Sequence, residues 1–115
     1  MATSRDLIVV AVRRFQEQVP ALAKLKLVAA LELTAGGLTR PGDSEQFRVE
    51  LPGPQVTEGP CDDARIRLSI PRTMFGLLAE EGQLADWREA FHYGHLKVEG
   101  DQRALRLIAR PIERA

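Results

Sequence analysis

Ala90-Phe91-His92-Tyr93-Gly94-His95-Leu96-Lys97-Val98-Glu99-Gly100-Asp101 is the stretch on which the fold is decided. Leu84, Trp87 and Phe91 stand at i, i+3 and i+7, one face of a helix that stops at Gly94. The period then changes. Leu96 and Val98 alternate with Lys97 and Glu99 in a strand of a few residues, closed by Gly100. Gly94 and Gly100 permit backbone shapes that other residues resist, which so short a strand needs at its ends. Asp101 is placed to cap a last helix that turns Ala104, Leu105 and Ile108 inward and ends at Pro111.

Upstream, Met74, Leu77 and Leu78 are spaced for a short helix ending near Gly82. Before Pro71, Ala64, Ile66, Leu68 and Ile70 alternate with Arg65, Arg67 and Ser69, the cleanest strand in the chain. Phe47, Val49 and Leu51 form another strand against Gln46, Arg48 and Glu50, and Gln55-Val56-Thr57 a short one. Leu25, Leu27, Ala29, Leu31 and Leu33 alternate with polar residues over Lys24 to Ala35, although Val28 and Ala30 blur the pattern. Gly36-Gly37 and Pro41-Gly42-Asp43-Ser44 mark a loop. Ser4 to Val19 fits a helix capped by Thr3 or Ser4 and stopped by Pro20. Its inward face carries Ile8, Val12, Phe15 and Val19, widened by Leu7 and Ala11. Strands grouped ahead of helices predict an α+β domain spanning residues 1–115. Its sheet is mainly antiparallel or mixed, of about five strands, with helices packed on one face.

Composition excludes several classes. Sixteen Lys and Arg balance sixteen Asp and Glu, and aromatics are 5% of the chain, so the basic, aromatic footprint of a nucleic-acid binder is missing. The longest aliphatic run, Leu7 to Val12, falls far short of the roughly 20 residues that cross a bilayer and also short of a signal-peptide core of roughly 7–15. A soluble, cytoplasmic protein is expected. The single Cys61 forms no intrachain disulfide, and Asp62 and Asp63 beside it should raise its pKa.

Catalytic motifs are missing too. Ser4, Ser44 and Ser69 lack a GxSxG elbow, and Gly36-Gly37 has no phosphate-loop pattern. His92 and His95, with Glu89 or Glu99, are the only histidine-based metal set on offer, and they lack an HExxH spacing. No enzyme activity, cofactor or metal is expected.

Residues 64 to 108 resemble the sterol carrier protein type 2 family. The resemblance rests on Asp63-Ala64-Arg65-Ile66-Arg67-Leu68-Ser69, on two short helices holding Gly82 and Ala90-Phe91, and on Gly94 to Asp101 followed by an Ala- and Leu-rich helix. The first half agrees in element order. Trp87, His92 and Tyr93 are bulkier than the family's usual residues there, and Ile112-Glu113-Arg114-Ala115 is not a peroxisomal tripeptide. The resemblance implies a free-standing, bacterial carrier that holds a lipid, fatty acyl chain or sterol-like molecule in an internal hydrophobic tunnel.

A carrier needs apolar surface beyond what its core consumes. Met74, Phe75, Leu77, Leu78, Leu84, Trp87 and Phe91, with Leu105 and Ile108 on the last helix, are the candidate ligand-binding residues. Residues at such spacing equally serve to fill a core. In that case the same fold is an accessory module, acting as a dimer or beside a lipid- or quinone-metabolism enzyme. On the first helix, Leu7, Val9 and Val10 offer a lid, a transient membrane contact or a homodimer seam, and Arg13 and Arg14 suit anionic head groups.

Overall fold

The computed structural model describes residues 3–34 and 44–114. Helix α1 spans Ser4–Gln18 and a 3-10 turn spans Pro20–Lys24. Strands β1 (Leu27–Thr34), β2 (Glu45–Leu51), β3 (Gln55–Glu58) and β4 (Ile66–Pro71) follow. Then come helices α2 (Arg72–Glu81) and α3 (Leu84–His92), strand β5 (Lys97–Gly100) and helix α4 (Gln102–Arg114). The loop read at Gly36-Gly37 and Pro41-Gly42-Asp43 lies outside the described residues.

Thr3 is the α1 cap. Its hydroxyl accepts from the Asp6 N–H and the Asp6 carboxylate accepts from the Thr3 N–H, each at 3.2 Å, which satisfies two N-terminal donors reciprocally. Pro20 opens the 3-10 turn, where a missing N–H leaves no bond unmade. Pro111, by contrast, does not end α4, which runs on to Arg114. A proline within a helix removes one hydrogen bond and costs about 3 kcal/mol, and the remaining ladder can carry the helix past it.

The sheet has the order β3-β2-β1-β4-β5. Every neighbouring pair is antiparallel except β1 and β4, so the sheet is mixed. Register places the alternating apolar residues side by side: Val56, Val49, Ala29 and Ile66 form one row. Phe47, Leu31, Leu68 and Val98 form the next. Ile8 and Ala11 of α1, Phe75 and Ala79 of α2 and Ala104 of α4 close the core over this face.

The opposite face is polar, and one connecting segment of the chain crosses it. The β3–β4 connection must pass β2 and β1 to reach the far side of the sheet. Arg48 holds it with two bonds to Asp63, Nε–Oδ1 at 3.1 Å and Nη2–Oδ2 at 2.8 Å. Arg67 holds it through the Cys61 carbonyl at 3.0 Å. This crossing explains Ala30, which faces outward with Arg48 and Arg67 yet is buried. The irregular Ala30 in the sequence pattern marks where the chain runs over the sheet.

Candidate functional site

The site residues named from sequence sit on α2, α3 and α4. Helix α2 starts directly from β4, and Phe75 and Ala79, four residues apart, set its inward stripe. Met74 and Leu78 flank that stripe and are half-buried against the core. Leu77 lies two residues from Phe75, nearly opposite on the helix, and is 64% exposed. It does not join the group.

Helix α3 is preceded by its N-cap Gln83, whose N–H donates to the Asp86 carboxylate at 2.8 Å. Leu84 and Trp87 are half-buried and Ala90 is buried. Phe91 is 52% exposed, a correction to the inward face read for it. The chain doubles back on the helix end, where the Ala90 carbonyl accepts from the N–H groups of His95 (2.9 Å) and Leu96 (3.1 Å). That reversal draws Ala90 inward and leaves Phe91 outside. On α4, Leu105 and Ile108 are half-buried against the core, as their spacing with Ala104 predicts.

Trp87 brings three helices together. Its ring centroid lies 5.0 Å from that of Phe15 on α1. Phe75 on α2 is 5.8 Å away, edge to face. Phe15 was legible as a core position of α1 but not as a partner of Trp87, since periodicity within one helix says nothing about the helix it meets.

The α1 expectations divide. Leu7 and Val9 pack on the core, and only Val10, 43% exposed, is left for an outer contact. Arg14 is engaged within the fold: Nη1 donates at 3.0 Å to the carbonyls of both Ala79 and Glu80. A guanidinium there satisfies carbonyls that the last turn of α2 leaves open and sits at the negative end of its dipole.

A hollow of about 290 Å³ opens on the polar face of the sheet. Ala30 and Ser69 are small residues in it, with Glu32, Arg67, Lys97 and Cys61 around them. It is lined by none of the helix residues above. The Cys61 thiol is pushed up in pKa, first by burial and then by donating at 3.3 Å to the Asp63 carboxylate. Asp63 is held well below the usual carboxylate range by the Arg48 guanidinium and by that thiol. Among the described residues no three His, Cys, Asp or Glu side chains come together as metal ligands. No helix among them is long and apolar enough to cross a membrane.

No protein-family model and no curated protein sequence matches the chain. Solved structures do. The palmitated form of sterol carrier protein 2-like 2 from Aedes aegypti aligns over 92% of this chain and 91% of its own, with 17% identity and a TM-score of 0.59. The fold is that of sterol carrier protein 2. The apo form of sterol carrier protein 2 from Yarrowia lipolytica aligns over 85% of this chain and 87% of its own, with 24% identity and a TM-score of 0.55. The sterol carrier protein 2 fold also recurs inside a larger enzyme. An inverting sec-alkylsulfatase from Pseudomonas sp. matches 97% of this chain with 16% of its own length, at 11% identity and a TM-score of 0.56.

Proposed function

We propose that this chain binds an apolar lipid, a fatty acyl chain above all, and carries it without catalysing a reaction. One observation carries the reading: the helix layer holds a group of half-buried apolar side chains in a fold that a palmitated protein shares. Met74, Leu78 and Trp87, with Leu105 and Ile108, pack on the core yet keep part of their surface open, and Leu84 is half-buried beside them in sequence. Covering such surface with an acyl chain gains about 0.8 kcal/mol for each methylene removed from water. In this reading the ligand lies between α2, α3 and the sheet, Phe91 guards its entrance, and the membrane is touched only in passing. The chain acts as one domain, in the cytoplasm, with no cofactor.

Delipidated protein titrated with a fluorescent fatty acid, and sprayed in native mass spectrometry with palmitate, tests this. Saturable one-to-one uptake is expected, with reduced acrylamide quenching of Trp87, the only tryptophan. No uptake by either method removes the reading.

A second reading has its own observation. The same fold forms part of an alkylsulfatase, and the Phe15–Trp87–Phe75 cluster fills space between helices. A filled-core accessory module would bind no lipid and would crosslink to a separate enzyme.

A further inference from the structure

Strand β5 is an edge of the sheet. Its register against β4 pairs Ser69 with Lys97, Leu68 with Val98 and Arg67 with Glu99. The Asp101 N–H donates to the Arg65 carbonyl at 3.0 Å, continuing that register by one pair. In an antiparallel ladder, hydrogen-bonded pairs alternate with unbonded ones. Asp101, Glu99 and Lys97 therefore direct their backbone groups toward β4. The N–H and C=O of Val98 point away from the sheet, into the open edge.

The edge is self-complementary. A second copy added antiparallel, with Val98 opposite Val98, exchanges two backbone hydrogen bonds at the centre. It places Lys97 opposite the partner's Glu99, and Glu99 opposite the partner's Lys97. These flanking positions are the unbonded kind, where Cα atoms approach to about 4.5 Å and side chains meet most closely. Among the described residues neither Lys97 nor Glu99 has an ion pair of its own. Arg67, the cation beside Glu99, is spent on the Cys61 carbonyl. Lys97 and Glu99 are both exposed. An edge lysine normally discourages strand pairing. Here the glutamate two residues on converts it into a charge code for one register and one partner. The other edge, β3, has the sequence Gln55-Val56-Thr57-Glu58 and offers no such reciprocal pair.

We infer that β5 pairs with β5 of a second copy of this chain, joining two sheets into one through reciprocal Lys97–Glu99 contacts. The two-fold axis is perpendicular to the sheet, so both helix layers stay on the same side. A strand of this length gives a small interface, and the dimer is concentration-dependent.

Light scattering during size exclusion, and sedimentation velocity of the full chain up to about 1 mM, give the test. A reversible dimer is expected. Lys97→Glu and Glu99→Lys, each placing like charges opposite one another twice, should weaken it at least about tenfold. The double variant Lys97→Glu/Glu99→Lys should dimerise like the parent, which also shows that both positions tolerate reversal. A parent that stays monomeric overturns the inference. So does a dimer indifferent to either single reversal, or a double variant that remains monomeric.

Discussion

Trp87 and Phe15 meet ring to ring between α3 and α1, their centroids 5.0 Å apart and their planes tilted by 59°. This tilted geometry suits aromatic quadrupoles and adds about 0.5–1.5 kcal/mol beyond the area buried. A double-mutant cycle with Phe15→Leu and Trp87→Leu, read by urea unfolding, should return a coupling of about 1 kcal/mol. Trp87→Ala should cost about 2–3 kcal/mol, below the fully buried range because the indole keeps part of its surface in water. Zero coupling would show that the two rings are neighbours without being partners.

Arg14 supplies a second tie from α1, this one to α2. Its bonds to the Ala79 and Glu80 carbonyls span 65 and 66 residues of sequence. Arg14→Ala should lower stability by about 1 kcal/mol, a modest value because the contact is partly in water. Arg13→Ala, on an exposed side chain, should change it by less than about 0.5 kcal/mol. Equal effects of the two variants in chemical denaturation would contradict the capping role.

The polar face predicts the acid limb of the stability curve. Arg48 depresses the pKa of Asp63, and Arg65 that of Asp101, whose other oxygen accepts from the Arg103 N–H. Carboxylates with depressed folded pKa values contribute stability that is full above their unfolded value of about 3.9 and is lost as pH falls toward the folded one. The melting temperature should therefore drop between about pH 4 and pH 2. Asp63→Asn/Asp101→Asn should be less stable at neutral pH and flatter over that acid window. Asn still caps a helix at position 101, so α4 is preserved. An unchanged acid slope in the double variant would sink this account.

What the sequence makes legible follows from how local each signal is. Leu27, Ala29, Leu31 and Leu33 alternate because one face of β1 is buried, and a period of two needs no knowledge of its neighbours. Gly94 and Gly100 read as strand brackets for the same reason, and both have positive φ. The rotation of a short helix is not local. Phe75 and Ala79 turn inward on α2 and Leu77 does not, although Leu is more apolar than Ala, because the helix face that meets the core is the one carrying Met74, Phe75, Leu78 and Ala79. The burial of Cys61 was equally hidden, since it depends on a crossover over distant strands. For the candidate site, sequence names Trp87 and Phe75 but not Phe15, which reaches Trp87 only through the packing of α1.

The two glycines of the opening motif separate conformational strain from crowding. Gly94 has φ +78° and nothing within 4 Å of where a Cβ would stand. Gly94→Ala should therefore cost only the left-handed penalty, about 1–2 kcal/mol. Gly100 has φ +144°, and a Cβ there would come within 2.8 Å of the Ile66 Cα as well as against the Arg65 carbonyl. Gly100→Ala must push β5 off β4, so its cost should exceed that of Gly94→Ala, and it should lower amide protection in both strands. Hydrogen exchange that is equally affected in the two variants would overturn the distinction.

Leu78→Trp divides the two functional readings. Leu78 is half-buried on the flank of the α2 stripe, beside Phe75 and Ala79 rather than beneath them. If an acyl chain lies over this flank, the larger ring takes the place of the ligand. Fluorescent fatty-acid uptake should then fall by at least about tenfold, while the unfolding free energy shifts by less than about 1 kcal/mol. If the helices instead enclose a filled core, the added ring overpacks it and costs about 1–3 kcal/mol. Leu77→Trp is the matched control, since Leu77 is 64% exposed and an extra ring there meets solvent. Measured together, uptake lost in Leu78→Trp with stability kept supports carriage; stability lost with no parental uptake to lose supports the accessory module.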